Sequence, residues 1–86
     1  MQHELKCWPE YYELSLYNRK PFEVRYNDRN FQEGDTIWMR EWNPATERYT
    51  GRYAVFKVGY VLRDYPALKE NHVAMTIKPV LVTAHV

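Results

Sequence analysis

The chain has 86 residues, of which 45% are hydrophobic and 16% aromatic, and its formal net charge is +1. A chain of this length can bury one small core, so we predict a single domain over residues 1–86. The near-neutral charge excludes binding to polyanions by bulk electrostatics, and any affinity for nucleic acid must therefore come from a local basic patch.

The first predicted elements are a strand and a helix. Residues 3–8 alternate in polarity, which predicts a strand. Pro9 ends that strand and suits the first turn of a helix that we expect to run to about Tyr17. Asn18 follows at the position where a helix C-terminus favours a residue in the left-handed conformation.

The segment from residue 18 to residue 31 combines charge, turn residues and a strand pattern. In its strand, residues 22–26, apolar and charged side chains alternate. The apolar residues are Phe22, Val24 and Tyr26, and the charged residues between them are Glu23 and Arg25. We expect the apolar side chains to be buried and the charged side chains to be displayed to solvent. With Lys20 before it and a turn over residues 27–30 after it, this segment is the predicted binding surface.

A third strand is predicted over residues 36–42, after a tight turn at Gly34 and Asp35. Glu41 shares a face of this strand with the apolar residue Ile37. A carboxylate on that apolar face lies either at a solvent-exposed end of the strand or in a pocket.

A fourth strand, over residues 53–62, is expected to form a hairpin with the third. Val58 and Tyr60 fall on its apolar face because they are two residues apart. Residues 64–71 are polar and contain a proline, which predicts a loop.

The last predicted strand starts near Val73, and we expect Pro79 to interrupt it before an apolar tail at residues 80–82. The pattern therefore gives about five strands with one main helix after the first. This arrangement favours an α+β, mostly-β fold: a small mixed β pseudo-barrel.

Residues 18–25 resemble a known family signature. Asn18, Lys20, Glu23 and Arg25 are similar to the G-x-K-x-x-E-x-R motif of ASCH domains, with asparagine in place of the glycine. ASCH domains are a branch of the PUA-like superfamily, and over nearly the whole length to Leu62 the chain resembles a small group of uncharacterised bacterial and phage PUA-like proteins. The resemblance implies a pseudo-barrel with a cleft between the first helix and the sheet. That cleft is expected to take RNA or a nucleotide-like ligand.

Some members of the family that this chain resembles are enzymes. One branch deacylates acylated cytidine with a lysine and, three residues later, a threonine nucleophile. Here Lys20 matches the lysine, but the residue three positions later is Glu23, so the deacylase reaction is not transferred. A different hydrolase would use Lys20, Glu23 and Glu41 as its catalytic set, since a carboxylate can act as a general base.

The candidate ligand-binding residues share charge or the capacity to form hydrogen bonds. They are Lys20, Glu23, Arg25, Asp28, Arg29, Glu41, Arg52, His3 and Lys6. Several of them also have a plain structural explanation. Glu23 and Arg25 are close enough to form a surface ion pair. Asp28 and Arg29 lie in a turn whose polar side chains hydrogen-bond to its own backbone, and Arg52 suits a solvent-exposed position in the hairpin.

Metal and cofactor chemistry find no sequence support. The three histidines share no ligand spacing with one another or with Cys7, so we expect no metal and no cofactor. Cys7, the single cysteine, is expected to be a buried apolar residue. The lone cysteine, together with the absence of a leader or a long apolar run, favours a cytoplasmic location and no membrane partner.

Three functions stay open at this point. The first is a cytoplasmic RNA- or nucleotide-binding module. The second is a small hydrolase that acts on a modified nucleoside or RNA. The third is a protein-interaction module whose exposed aromatic side chains and apolar tail form an oligomer or a contact with another protein.

Overall fold

The five strands of the structure, a computed structural model that describes residues 1–82, form one sheet. The elements in chain order are β1 (Gln2–Cys7), α1 (Pro9–Leu16), β2 (Phe22–Tyr26), β3 (Thr36–Asn43), β4 (Arg48–Leu62) and β5 (His72–Val82). The strand order is β1-β3-β4-β5-β2, and the sheet curls into a half-barrel. β1 runs parallel to β3, and the other neighbours are antiparallel. The predicted mostly-β fold with a helix after the first strand is confirmed.

The two edge strands, β1 and β2, face each other across a seam that side chains bridge. Arg25 Nη2 donates a hydrogen bond to the carbonyl oxygen of Lys6 at 3.0 Å, and Arg29 Nη1 donates to that of Glu4 at 2.5 Å. The N–H of Thr36 in β3 bonds to the carbonyl oxygen of Met1, and the carbonyls that face β3 follow at every second residue of β1. The carbonyls of Glu4 and Lys6 fall between them and therefore point away from β3. Two arginines therefore join the edges where a closed barrel would have a backbone ladder.

Helix α1 packs against β3 and β5 and covers part of the core. Its inward side chains, Tyr12 and Ser15, are buried. Asn18 follows with φ 59°, as predicted for the helix C-terminus, and the N–H groups of Arg19 and Lys20 both bond to the carbonyl oxygen of Leu14. The helix has eight residues, and no helix within residues 1–82 has the length and apolarity to cross a membrane.

The predicted orientation of β2 is wrong. Glu23 is buried at 5% exposure, whereas Phe22 and Val24 are 49% and 50% exposed. A shift of one residue moves every side chain of a strand to the opposite face. The inner side of β2 faces β1 and the helix at the seam, where Lys20 and Arg25 supply partners for the carboxylate, so the charged residue occupies the inner position.

The predicted orientation is also wrong at the end of β4. Tyr60 was expected on the buried face with Val58, but it is 60% exposed and Val61 is buried instead. A register shift between Val58 and Val61 inserts an extra residue and reverses the alternation. The N–H of Tyr60 then bonds to the side-chain oxygen of Thr76 at 2.8 Å.

β5 differs from its prediction as well, because it runs through Pro79 to Val82 without a break. Pro79 lies opposite Phe56, next to a register shift between Val55 and Phe56. A bulge is one of the few places in a sheet where a proline is accommodated, because the ladder hydrogen bonds are already disrupted there.

Candidate functional site

A cleft of about 420 Å³ opens at the seam, beside the junction of β1 and α1. We call it the seam cleft. Its lining residues come from β1, the start of α1 and β2: Lys6, Cys7, Trp8, Tyr11, Lys20, Glu23, Val24 and Arg25. The structure thus brings together four of the residues selected from sequence, namely Lys6, Lys20, Glu23 and Arg25.

The carboxylate of Glu23 is held between two cations in the wall of the seam cleft. Lys20 Nζ donates to its Oε1 at 2.8 Å, and Arg25 Nε donates to its Oε2 at 2.6 Å. Lys20 Nζ also donates to the carbonyl oxygen of Phe22 at 2.9 Å. Charge-assisted hydrogen bonds of this length fix both partners in place. With Lys6 included, the lining carries three cations against one carboxylate, a formal charge of +2.

Two aromatic side chains lie at the rim of the seam cleft and were missed by the sequence prediction. Trp8 and Tyr11 line it and are about half exposed. Lys20 Nζ lies 6.0 Å from the centroid of the Tyr11 ring. The signal that points to these rings is their position on either side of Pro9, where a strand ends and a helix begins. Exposed rings beside cations are suited to stack on planar ligands.

Backbone groups of Val24 add a third kind of contact. The carbonyl oxygen of Pro21 accepts a hydrogen bond from the N–H of Ile77 in β5. Because backbone groups alternate in direction along a strand, the N–H and carbonyl of Glu23 also point toward β5. Val24 therefore directs its N–H and carbonyl away from β5 and toward the seam. An edge-strand donor and acceptor are available there to a ligand with complementary groups.

Glu41 belongs to a second cluster, formed opposite a bulge in the β3–β4 pair. Thr50 Oγ1 donates to its Oε1 at 2.7 Å, and Arg52 Nε lies 3.7 Å from the same oxygen. Gly51, with φ 95°, allows the turn of backbone that directs both residues toward Glu41. Glu41 is buried, so the interpretation that it lies at a wet strand end is wrong.

Arg52 joins this cluster to the helix. Its Nη1 lies 2.7 Å from Oε1 of Glu13, and its guanidinium carbon lies 5.0 Å from the centroid of the Tyr12 ring. The hydrogen bond to Glu13 raises the pKa of Arg52, and the charge of Glu41 adds to this effect against the opposing influence of burial. The Glu41 cluster therefore ties α1 to the sheet, and neither Glu41 nor Arg52 lines the seam cleft.

Asp28 and Arg29 lie beside the seam cleft. Together with Arg25 they border a smaller depression of about 250 Å³. Arg29 is engaged with the carbonyl of Glu4, and its Nε is 3.9 Å from the carboxylate of Asp28. Arg25 is common to both depressions, so a ligand that extends out of the cleft along β2 would meet Arg29 next.

His3 lies in the interior, apart from the seam cleft. Its Nε2 is 2.8 Å from Oδ2 of Asp35, and its ring packs edge-on against Phe31. Asp35 also accepts a hydrogen bond from the N–H of Gln32 and pairs with the amino group of Met1. Burial alone would raise the pKa of Asp35, but these hydrogen bonds, led by that from His3, hold it below its usual value. Within residues 1–82, no three acidic, histidine or cysteine side chains are grouped so as to hold a metal ion.

Cys7 lies near both Glu23 and Glu41. Its side chain is buried, which confirms the apolar role predicted for it. Burial raises the pKa of its thiol to about 11, with smaller contributions from the charges of Glu23 and Glu41.

We expect the Cys7 thiol of native protein to react with a thiol-specific disulfide reagent at pH 8 about 100-fold more slowly than that of urea-unfolded protein, because the thiolate fraction falls by about that factor. Absorbance of the released thiol reports the rate. Equal rates in the two states would contradict this assignment.

The fold and the cleft define a class of protein: a small β half-barrel with a cationic, aromatic-rimmed cleft between its edge strands. Residues 2–77 match the family described as "Domain of unknown function (DUF3850)", and the chain belongs to that family.

Two further similarities concern individual proteins. An "Uncharacterized 12.9 kDa protein in GpA 3'region" of Escherichia phage P2 is 40% identical over 50 residues, a match that covers 58% of this chain but 44% of the phage protein. A crystal structure of "hypothetical protein PH0355" superposes with a TM-score of 0.64 at 19% identity, and covers 93% of this chain and 100% of that chain. At that identity the superposition establishes the common fold.

Proposed function

We propose that this protein is an ASCH/PUA-like module that binds RNA or a nucleotide-like ligand in the seam cleft. One observation carries the proposal: Glu23 holds Lys20 and Arg25 in the wall of a cleft whose rim is formed by Trp8 and Tyr11. The resemblance of residues 18–25 to the ASCH signature supports the same site. A cytoplasmic location and the absence of a cofactor belong to this proposal.

Each part of the seam cleft matches a part of a nucleotide. Lys6, Lys20 and Arg25 supply the positive charge that phosphate oxygens require, and phosphate contacts dominate the affinity of proteins for nucleic acids. Trp8 and Tyr11 offer ring faces on which a base stacks. The N–H and carbonyl of Val24 supply one donor and one acceptor for the edge of that base.

Binding is better supported than hydrolysis. Both oxygens of Glu23 are engaged by cations, which leaves it poorly placed to act as a general base. Glu41 is bonded to Thr50 outside the seam cleft, so the set of Lys20, Glu23 and Glu41 does not converge on one ligand position.

The test is a pair of substitutions in the seam cleft. Lys20→Ala and Arg25→Ala are each expected to weaken binding of fluorescein-labelled single-stranded or hairpin RNA by about tenfold or more, because each removes a charge-assisted contact to phosphate. Fluorescence anisotropy at low salt measures the affinity, and circular dichroism at the assay temperature checks that each variant is folded, since each substitution also takes one cation from the buried Glu23. Arg48→Ala is the matched control, since Arg48 is exposed on β4 and lines no part of the cleft. If wild-type protein binds neither RNA form nor a nucleoside monophosphate, the proposal fails.

A further inference from the structure

A second depression, on the outer face of the sheet, carries positive charge, and exposed aromatic residues lie on the same face. This outer groove has a volume of about 720 Å³ and crosses β4 and β5 beside the start of β2. Lys57 and Lys78 line it, and among residues 1–82 no carboxylate does. It lies on the opposite side of the sheet from the core, because Val58 and Ile77, which alternate with the two lysines, are buried.

The two lysines of the outer groove are placed directly opposite each other. Lys57 and Lys78 are register partners in the antiparallel β4–β5 pair, and both are exposed. Within the part of the chain that the structure describes, neither side chain has an ion pair or hydrogen bond. Like charges that face each other across a strand pair destabilise a sheet. The fold therefore maintains an uncompensated positive pair that an anionic ligand would stabilise.

The floor of the outer groove is kept bare by Gly59. A Cβ atom at this position would lie 2.5 Å from Oγ1 of Thr76, which is too close for an unshifted side chain. That oxygen is already fixed by the hydrogen bond from the N–H of Tyr60. The bulge between Val58 and Val61 leaves Tyr60 exposed on the outer side of the sheet.

A second ring connects the outer groove to the seam cleft. Phe22 is half exposed and pairs in register with Thr76, so it lies on the same outer face as Tyr60. Lys20 Nζ lies 5.4 Å from the centroid of the Phe22 ring while it bonds to Glu23 in the seam cleft. Lys20 and Phe22 therefore lie between the seam cleft and the face of the sheet that carries the lysine pair.

We infer that the outer groove binds the next nucleotides of a single-stranded RNA whose first nucleotide occupies the seam cleft. Lys57 and Lys78 contact its phosphates, and Phe22 and Tyr60 stack on its bases. The path from β2 to β4 crosses two strand spacings, about 10 Å, which a few nucleotides span. The inference rests on the proposed function, since it requires a strand that leaves the cleft. The opposed lysines, with no carboxylate beside them in the described part of the groove lining, favour this polyanion over a protein partner.

The experiment compares two double variants of equal charge. Lys57→Gln/Lys78→Gln removes the lysine pair, and Arg48→Gln/Lys69→Gln removes two exposed cations elsewhere. Binding of a labelled 12-nucleotide single-stranded RNA is measured by anisotropy between about 50 and 200 mM salt. The groove variant is expected to bind about tenfold more weakly than the control variant, and its log affinity against log salt should be shallower by about 1.4, or about 0.7 for each lost phosphate contact. Its affinity for a nucleoside monophosphate should equal that of wild type.

Stability and stacking give two independent readouts. The groove variant should unfold at a temperature no lower than wild type, because the substitutions relieve repulsion between like charges. Tyr60→Leu should weaken binding of the 12-nucleotide RNA by about fivefold or more, since stacking on one ring contributes about 1–3 kcal/mol, and it should leave mononucleotide binding unchanged.

The outcomes separate this inference from the proposed function. If RNA binds and the two double variants behave alike, the outer groove is not an RNA site, although the seam cleft still is. If polyglutamate binding is lost in the groove variant while RNA binding persists, the groove serves an acidic protein partner and the inference is overturned. If wild-type protein binds no RNA, both proposals fail.

Discussion

Replacing Asp35 with asparagine is expected to lower the free energy of unfolding by about 2–3 kcal/mol at pH 7. The carboxylate accepts hydrogen bonds from His3, from the N–H of Gln32 and from the amino group of Met1, and it is nearly inaccessible to solvent. Hydrogen bonds to a charged group contribute about 1.5–3 kcal/mol, and an asparagine amide can replace only part of this set. A chain of this size has about 4–13 kcal/mol in total, so the loss is a large fraction. Urea unfolding followed by tryptophan fluorescence measures it.

The pH dependence of the same variant tests the cause. The pKa of Asp35 is lower in the folded state than its usual value of 3.8, so its stabilising charge is fully present above that value. The stabilisation is lost as the pH falls through the folded-state pKa, where the carboxyl group becomes protonated. The difference between wild type and Asp35→Asn should therefore be present at pH 5 and shrink below about pH 3.8. Glu33→Gln, an exposed carboxylate two residues away, should change stability little at any pH. A constant difference down to pH 2.5 would contradict this explanation.

The contrast between β3 and β2 shows how far alternation predicts a strand. In β3, Ile37 and Glu41 were predicted to share a face, and both are buried, as is Met39 between them. In β2 the same rule fails, because the apolar residues are on the outer face and Glu23 is inside. Alternation gives the two faces of a strand but not which face is inward. Which face of β2 points inward depends on how the sheet curls into a half-barrel, and the local sequence does not give that curl.

The sequence predicted the charged residues of the seam cleft but not its aromatic residues. Lys20, Glu23 and Arg25 are close together in sequence, so a local motif was sufficient to select them. Trp8 and Tyr11 join them only because β1 and β2, distant in sheet order, meet at the seam. Contacts between distant edge strands are not encoded in any local pattern, and the position of Trp8 and Tyr11 on either side of Pro9 does not by itself show that these residues meet β2.

Bulges account for the remaining differences. The shift between Val58 and Val61 exposes Tyr60, and the shift opposite Glu41 brings Thr50 and Arg52 to a buried carboxylate. Gly51 and Gly59 mark both irregularities in the sequence, but a glycine in a strand also occurs without a bulge. The residues are visible in the sequence, whereas their effect on the alternation is not.

The largest effect in the seam cleft is expected from Glu23→Gln, which keeps the shape of the side chain and removes its charge. Glu23 accepts from Lys20 at 2.8 Å and from Arg25 at 2.6 Å, and its side chain is only 7% exposed. A glutamine presents its NH₂ group to one of these donors and leaves two like charges close together. Removal of one partner from a buried ion pair typically costs about 3–5 kcal/mol. Because both cations keep some access to water, we expect a loss of about 3 kcal/mol in the free energy of unfolding.

Glu4→Gln supplies the matched control for this change. Glu4 also pairs with an arginine, Arg40, at 3.0 Å, but the pair is exposed, so its removal should cost at most about 1 kcal/mol. A double-mutant cycle of Glu23→Gln with Lys20→Met should give a coupling free energy above about 1 kcal/mol, since the second substitution removes a cation that the first has left unpaired. Equal losses for Glu4→Gln and Glu23→Gln, or additive effects in the cycle, would mean that Glu23 does not hold the two cations in place. The cations of the seam cleft would then not be preorganised for phosphate, and the Lys20→Ala and Arg25→Ala effects on RNA binding should be correspondingly small.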